Sequence, residues 1–423
     1  MALEDYRSDM ETCCRCSACK FIPLEKVNGS RPVNICPSIA RYNFHAYSGG
    51  GRMGIGVALL EERLEYTDKL LEVVYNCLTC GGCDISCKYA MDMEVLKPIY
   101  ETRIRCVENG HTIPVLDRMI NSLRKQGHMI PGAKVKRGDW AEGLDVKDYT
   151  RHKTEVIYHA GCRTCYDRDM WEVARGAISL LQKAGIDVGI AGGSESCCGG
   201  RAYQMGYRDD FLRQARHNME MIQKSGAEIL VTGCSDCYHA FKVLYDEFGL
   251  KGNLEVLHIT EYLDRLIKEG RLKPSRKLEL NVTYHDPCHL GRLGEPHIHW
   301  QGKQVPGHIR IFDPPKEFQR GTYGIYQPPR DVLNSIPGLK LIEMGRVKEY
   351  AWCCGAGGGV KETNPEFARF TARERIKEAE STGAEAIVTA CPGCEKNFDE
   401  AIKENGSALK VYDVVELVAK TTL

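Results

Sequence analysis

From about residue 151 onward, short apolar runs alternate with longer stretches in which apolar residues recur every three to four positions. The runs EVIYHAGC, DVGIAGG, EILVTGC and LEVLHIT are separated by stretches such as MWEVARGAISLLQKAG and DDFLRQARHNMEMIQKSG. Apolar runs that alternate with amphipathic helices are typical of a mostly parallel sheet covered by helices. We therefore predict an α/β fold for this part of the chain.

The same pattern occurs twice. The stretch GAEILVTGCSDCYHAF at 226–241 is similar to GAEAIVTACPGCEKNF at 383–398, and each combines an apolar run, a cysteine pair and a helical pattern. Self-similarity on this scale indicates duplicated domains. We predict a first unit at 151–275 and a second at 276–423, facing each other across a pseudo-twofold cleft. Ligands in α/β sheets lie beyond the strand ends, where both cysteine pairs fall.

The N-terminal part has a different pattern. Short helical stretches such as YTDKLLEVVYNC, with apolar spacings of three to four, predict a mainly helical domain at 1–110. Residues 111–150 contain several glycines and a proline, and we predict a connector there.

Composition narrows the possible functions. The chain of 423 residues has 57 Lys plus Arg and 57 Asp plus Glu, so no basic field for nucleic acid is predicted. No run of 18 or more apolar residues occurs, and we expect no transmembrane segment of its own. The start MALEDYRSDMETCC lacks the apolar core of a signal peptide, yet the chain has 21 cysteines. We expect a cytoplasmic protein with metal-bound thiols, associated with a membrane only through a partner subunit.

Eight cysteines near the N-terminus have the spacing of a two-cluster ferredoxin module. The runs are Cys13-x2-Cys16-x2-Cys19 followed by Cys36-Pro37, and Cys77-x2-Cys80-x2-Cys83-x3-Cys87. In such modules the fourth cysteine of each run binds the cluster of the other run. We therefore assign one 4Fe–4S cubane to Cys13, Cys16, Cys19 and Cys87, and the other to Cys77, Cys80, Cys83 and Cys36. A pair of zinc sites is the alternative, which the CxxCxxCxxxC run disfavours.

Ten further cysteines form two groups of five in matching order. The first quintet is Cys162, Cys197, Cys198, Cys234 and Cys237, and the second quintet is Cys288, Cys353, Cys354, Cys391 and Cys394. Cys165 is an alternative to Cys162, but YHAGC at 158–162 aligns with YHDPC at 284–288. Cys14 and Cys106 are expected to bind no metal, because free cysteine commonly serves as a small buried apolar residue.

Each quintet contains two adjacent cysteines followed by glycines. Neighbouring Cα atoms lie about 3.8 Å apart, which is too close for an unstrained disulfide. Adjacent thiolates can instead bind one metal centre, and five thiols exceed the four that a cubane needs. We predict that glycine N–H groups point at an anionic cluster and bind it. The glycines concerned are Gly199, Gly200, Gly357 and Gly358.

The order of these motifs resembles that of the catalytic subunits of heterodisulfide reductases and of related iron–sulfur oxidoreductases. The resemblance covers nearly the whole chain and includes YHDPCHLGR, PPRDVLNSIPGLKLIEM and WCCGAGGGVK. It implies a two-cluster ferredoxin domain followed by two cysteine-rich CCG domains. It also implies a noncubane 4Fe–4S cluster in each quintet, four clusters in total, and reduction of a disulfide between the two noncubane clusters.

This resemblance leads to a hypothesis of function. Electrons from partner redox subunits enter the N-terminal cubanes and pass to the quintets, where a small or protein disulfide takes up two electrons. The candidate catalytic residues are Cys198, Cys354 and His289, with the histidine as proton donor to a leaving thiolate.

Other polar residues are close to the quintet cysteines in the sequence. His159 and His285 occupy matching positions in the two copies and are expected to hydrogen-bond cluster sulfur or backbone. A role as proton donor to a leaving thiolate is the alternative. Arg163 and Arg292 are candidates to hold an anionic substrate or to offset cluster charge, and an arginine on a solvated face is the alternative.

A second function fits the same motifs. The chain could be a non-catalytic electron-relay subunit of a larger anaerobic complex, linked to flavin, quinone or benzoyl-CoA reduction. No glycine-rich dinucleotide fingerprint opens a βαβ unit, so flavin and NAD are expected on partner subunits.

The second unit also carries an extra loop near 293–323, which is predicted to be a lid, a docking arm or a substrate wall.

Overall fold

The computed structural model describes residues 2–27, 33–306 and 310–423. A helical N-terminal part is followed by two α/β units, each built on a parallel sheet, and the predicted fold class is confirmed. In these described ranges, none of the helices is long and apolar enough to cross a membrane.

The N-terminal part consists of short helices that carry the first eight cysteines or lie beside them. They are α1 (Arg7–Thr12), α2 (Pro37–Tyr42), α3 (Gly49–Leu60), α4 (Asp68–Tyr75), α5 (Gly82–Met91) and α6 (Leu96–Glu108). Helix α3 begins after Ser48, whose hydroxyl accepts a hydrogen bond from the Gly51 N–H at 3.0 Å. Helix α5 places Cys83 and Cys87 one turn apart on one face.

Residues 111–150, predicted as a connector, contain regular structure that joins the domains. Helix α7 (Pro114–Gln126) buries Leu116, Met119, Ile120 and Leu123, whose spacing of three and four residues gives the helix one apolar face. Strand β1 (Lys147–Asp148) adds to the edge of the first sheet by pairing with the strand at Val188–Ile190.

The first unit has a five-stranded parallel sheet. Its other strands are β2 (Val156–His159), β3 (Val188–Ile190), β4 (Ile229–Thr232) and β5 (Glu255–His258), in the order β1-β3-β2-β4-β5. Its helices are α8 (Gly161–Tyr166), α9 (Trp171–Lys183), α10 (Gly200–Gln204), α11 (Arg208–Ser225), α12 (Ser235–His239), α13 (Tyr245–Glu247) and α14 (Ile259–Lys268). A short π-helical segment, Ala240–Leu244, joins α12 to α13.

The second unit has a four-stranded parallel sheet and a small hairpin. Its strands are β6 (Leu280–Tyr284), β7 (Lys303–Gln304), β8 (Phe312–Asp313), β9 (Leu339–Leu341), β10 (Ala386–Thr389) and β11 (Lys410–Asp413). The parallel sheet has the order β11-β10-β6-β9, while β7 and β8 pair antiparallel. Its helices are α15 (Gln327–Asn334), α16 (Val360–Thr363), α17 (Pro365–Glu380), α18 (Pro392–Asn405) and α19 (Val414–Thr422).

Corresponding strands of the two sheets position the quintets. Strands β2 and β4 pair from Val156↔Ile229 to His159↔Thr232, and β6 and β10 pair in the same way. Cysteines of each quintet follow these central strands at their carboxyl ends. The carboxyl ends of the two sheets are in contact: the Ser235 hydroxyl, just after β4, donates to the Ala390 carbonyl oxygen, just after β10, at 2.8 Å.

The predicted loop near 293–323 holds the hairpin of β7 and β8, and residues 307–309 lie outside the described ranges. Its described residues contact the N-terminal part. Arg310 Nη1 lies 2.8 Å from Asp9 Oδ1, and Arg320 forms an ion pair with Asp92.

Candidate metal centres

The first N-terminal group of thiols, which we call the outer set, is Cys13, Cys16, Cys19 and Cys87. Burial raises the pKa of the Cys87 thiol, and the charges of Asp84 and of the other three cysteines raise it further. Cys87 therefore lies near all three cysteines of the first CxxCxxC run, and it is also one helical turn from Cys83. Cys16 is exposed and Cys13 is half-buried, so this set lies near the protein surface.

The second group, which we call the inner set, is Cys36, Cys77, Cys80 and Cys83. Burial raises the pKa of Cys36 to about 12, and the charges of Cys77 and Cys80 contribute to the rise. The two sets approach each other at Gly49, where a Cβ would lie 3.2 Å from Cys83 Cβ and 3.3 Å from Cys19 Cβ. All four inner thiols are buried.

The first quintet forms a continuous group of contacting thiols. Hydrogen bonds from Cys197 and Cys237 lower the pKa of Cys198 to about 5. Cys162 and Cys197 are hydrogen bonded to each other, as are Cys234 and Cys237.

Cys165 contacts a carboxylate. Its sulfur lies 3.8 Å from Glu195 Oε1, and burial raises its pKa well above the ordinary value. Of the two cysteines considered for the first position, the structure brings Cys162 to the quintet.

The second quintet repeats this arrangement. A hydrogen bond from Cys353 lowers the pKa of Cys288 to about 5. Cys354 is hydrogen bonded to Cys353 and Cys394, and Cys394 is in turn bonded to Cys391.

The glycines differ between the two copies. The Gly199 N–H donates to Cys197 Sγ at 3.4 Å, and the Gly200 N–H is bonded to Cys198. In the second copy it is Gly355 whose N–H donates to Cys353 Sγ at 3.4 Å.

Gly357 and Gly358 pack against the N-terminal part, and Gly357 also lines the smaller cavity on the second quintet. A Cβ at Gly357 would lie 2.6 Å from the Leu78 carbonyl oxygen, and one at Gly358 would lie 2.6 Å from that of Cys77. The Gly358 N–H donates to Gln204 Oε1 at 3.4 Å. These glycines are needed because the segment after Cys354 passes directly over the loop that carries Cys77.

Two thiol contacts join the groups to one another. Cys353 of the second quintet hydrogen-bonds Cys80 of the inner set and lowers its pKa to about 7. A bond from Cys234 of the first quintet is the largest cause that lowers the pKa of Cys391. Thiol contacts therefore run from the inner set through the second quintet to the first.

A cavity of about 270 Å³ opens on the first quintet. Its apolar wall includes Met119 and Met129, and its charged wall includes Arg163, Arg201, Lys361 and Glu362. Arg201 Nη2 pairs with Glu362 Oε2 at 2.8 Å. A smaller cavity on the second quintet shares Asp236, Ala356 and Gly393 with it, so the two openings adjoin.

His289 lies between the two copies. Its Nδ1 is 2.8 Å from Asp236 Oδ1 and 3.6 Å from Cys288 Sγ, and its Nε2 is 3.2 Å from Gln204 Nε2. Burial lowers the pKa of His289, but the charges of Cys288 and Asp236 outweigh burial and raise the pKa well above its usual value. The side chain is thus held by an acid from the first copy against a thiol from the second.

The two matching histidines have different surroundings. A nitrogen of His285 and the sulfurs of Cys354 and Cys394 lie within 4.8 Å of one another, a grouping suited to a metal ion. His159 Nδ1 lies 3.7 Å from Glu195, and burial lowers the pKa of His159 to about 4. The sequence favours hydrogen bonding as the role of both histidines, with proton donation as the alternative.

Arg137 is a site residue that sequence reasoning missed. Its Nη1 lies 3.4 Å from Cys162 Sγ, and its Nη2 pairs with Glu195 Oε1 at 2.6 Å. Arg137 lies 25 residues before Cys162 in the predicted connector, where no spacing rule points to it.

The donor atoms fit iron–sulfur clusters. All 21 cysteines are free thiols, and 18 of them fall into two fours and two fives. Thiolate sets of this kind are the ligands of such clusters. A four-coordinate zinc ion would leave one thiol of every quintet unused.

Comparisons with known proteins agree with this chemistry. Residues 9–91 match the family model of a 4Fe-4S dicluster domain, and residues 156–242 and 282–399 match that of a cysteine-rich domain. A solved structure of a hypothetical protein from Helicobacter pylori has a similar fold, with a TM-score of 0.50 and 11% identity over 88% of this chain and 67% of that one.

Two curated relatives are oxidoreductases by name. The EtfAB:quinone oxidoreductase of Syntrophomonas wolfei is 29% identical, over 85% of this chain and 48% of the relative. A subunit of the dihydromethanophenazine:CoB--CoM heterodisulfide reductase of Methanosarcina acetivorans is 32% identical, over 97% of this chain and 94% of the relative. The chain therefore belongs to the heterodisulfide reductase-like iron–sulfur oxidoreductases, with a 4Fe-4S dicluster domain and cysteine-rich CCG domains.

Proposed function

We propose that this chain reduces a disulfide, or forms one in the opposite direction, with electrons that partner redox subunits deliver to its N-terminal domain. Reduction converts one disulfide, two electrons and two protons into two thiols. The observation that carries this proposal is the continuous contact of ten quintet thiols beside a cavity of about 270 Å³.

Each thiol group has a role in this proposal. The outer and inner sets would hold one 4Fe–4S cubane each, and the two quintets would hold one noncubane 4Fe–4S cluster each. When bound, such clusters supply one-electron transfer and iron positions open to a substrate sulfur. Cys198 and Cys354 lie at the centre of their quintets, each bonded to two other thiols.

Other side chains of the chain act on the substrate. The cavity wall formed by Met119 and Met129 excludes water, while Arg163 presents positive charge to an anionic group of the disulfide. His289 holds a proton between Asp236 and the second quintet, and it is the proposed donor to a leaving thiolate.

Replacement of the central cysteines tests the proposal. We expect Cys198→Ala and Cys354→Ala each to lower viologen-linked disulfide reduction at least ~100-fold, within the range that removal of a group acting directly on the reaction produces, while the EPR signals of the N-terminal cubanes persist. Cys14→Ala is the matched control, because this exposed cysteine belongs to none of the four groups. Full activity in either of the first two variants would contradict catalysis at the quintets.

An electron relay without a substrate of its own is a second candidate. The contact between Cys80 and Cys353, which links the inner set to the second quintet, is the observation that favours it. EPR of the oxidised protein, titrated with CoM, CoB and simple dithiols, separates the two functions. A thiol-dependent signal that Cys198→Ala removes supports disulfide chemistry, whereas silence with every thiol supports the relay.

A further inference from the structure

Arg292 lies at the junction between the inner set and the second quintet. It follows Cys288 by four residues and is only 3% exposed. Its Nη2 donates to the Ala351 carbonyl oxygen. Its Nε and Nη1 have no hydrogen-bond partner among the residues that the structure describes. Two guanidinium N–H groups are therefore buried and available to a group that would fill the thiol sets.

The thiols nearest to this guanidinium come from both groups. The charges of Cys80, Cys288 and Cys353 all act on it. Because a guanidinium is not deprotonated in proteins, Arg292 brings a positive charge to the place where two thiolate groups meet.

Close packing fixes the guanidinium in this place. A Cβ at Gly82 would lie 2.8 Å from Arg292 Nη1, and a Cβ at Gly321 would lie 3.0 Å from Arg292 Cα. Gly82 belongs to the CGGC segment of the inner set, and Gly321 belongs to the loop near 293–323. A side chain at Gly82 would press on the guanidinium, and one at Gly321 would press on the Cα and Cβ of the arginine.

The first quintet has an arginine of different character. Arg137 beside Cys162 is paired with Glu195 at 2.6 Å, so its charge is neutralised locally. Glu195 lies two residues before Cys197, and the corresponding position before Cys353 is Ala351. Within the described ranges no carboxylate forms an ion pair with Arg292, and the second quintet therefore has an uncompensated positive charge.

We propose that Arg292 is a shared redox-tuning residue that raises the reduction potentials of the inner cubane and of the second-quintet cluster together. A cation and N–H donors beside cluster sulfur stabilise the reduced, more negative state. The second quintet, whose Cys353 also contacts Cys80 of the inner set, is then the acceptor of electrons from the N-terminal domain, ahead of the first. This inference rests on the cluster occupancy of the proposed function but not on disulfide reduction.

EPR-monitored redox titration of the anoxic holoprotein tests the proposal with Arg292→Met and Arg292→Lys. We expect Arg292→Met to lower the reduction equilibrium constants of both clusters about tenfold, or about 59 mV for one electron. Arg292→Lys keeps the charge and shifts both potentials less. The outer cubane and the first-quintet cluster keep their potentials, as does every cluster of the exposed control Arg216→Met.

A second measurement does not depend on the stability of Arg292→Met. HYSCORE spectra of protein labelled with guanidino-15N arginine should show 15N couplings at both clusters that disappear in Arg292→Lys. Unchanged potentials or unchanged couplings, at full iron content, would overturn the proposal. Loss of iron from the second quintet in both variants would assign Arg292 a structural role and overturn it as well. A wild-type protein without clusters would instead refute the proposed function itself.

Discussion

His289 is the residue whose contacts join the two copies most directly. Asp236 comes from the first copy and Cys288 from the second, and the imidazole lies within 2.8 Å of the carboxylate and 3.6 Å of the sulfur. The sequence predicts His289 as a proton donor next to Cys288. The contact with Asp236 was beyond prediction, because the two residues lie 53 positions apart and on different units.

Replacement of this histidine tests its role as a proton donor. We expect His289→Gln to lower the kcat of disulfide reduction about 100-fold, within the range of general acid catalysis. Iron content is expected to change little, since the amide preserves hydrogen bonding. Stopped-flow kinetics with reduced viologen measure the effect, and the exposed His217→Gln is the control. An equal, small effect of both variants would contradict the assignment.

Cysteine spacing at this scale predicted most of the candidate site. The ten thiols that it assigns to the quintets contact one another in the structure, and Cys162, which it prefers to Cys165, contacts Cys197. It missed Arg137 and the turn of Gly358 toward Cys77, because both depend on contacts between distant segments.

Helices bring the N-terminal thiols together through close backbone contacts. Helix α3 starts with three glycines, and a Cβ at Gly51 would lie 2.1 Å from the His45 carbonyl oxygen. Gly54 in the same helix has no atom within 4 Å of its Cβ position. The periodic pattern predicts the helix, but it does not reveal which of its glycines is required.

These two glycines form a matched pair for measurement. We expect Gly51→Ala to destabilise the protein by about 1–3 kcal/mol through steric overlap. Gly54→Ala is expected to stabilise it by about 0.5–1 kcal/mol, since alanine favours the helix. Both changes in stability are measured anoxically, as the denaturant concentration at which half of the visible absorbance is lost. A shift of the same sign in the two variants would show that the His45 contact does not matter.

The whole molecule is held together by contacts between segments far apart in sequence. The loop near 293–323, part of the second unit, reaches back to α1 through Arg310 and Asp9, whose side chains are 13% and 11% exposed. The alternation of apolar runs predicted the α/β units and their duplication. It did not predict this contact or the regular structure at 111–150, because neither is encoded in local periodicity.

Breaking this ion pair tests whether the loop holds the N-terminal domain in place. We expect Arg310→Ala to lower the free energy of unfolding by on the order of 1–2 kcal/mol, which lies between the values for exposed and for buried ion pairs. Hydrogen exchange of α1 is expected to increase, and the double variant Asp9→Arg/Arg310→Asp should restore protection. Arg63→Ala, which breaks the exposed pair with Glu61, is the control. Equal exchange in both single variants would contradict a docking role.

Every proposed role of these residues depends on iron and sulfide being bound in all four thiol groups. Iron, acid-labile sulfide and zinc should be quantified in one anoxically purified sample of the wild-type chain. Four 4Fe–4S clusters predict about sixteen irons and about sixteen sulfides for each chain. A colourless protein that contains zinc and no labile sulfide would contradict the central claim.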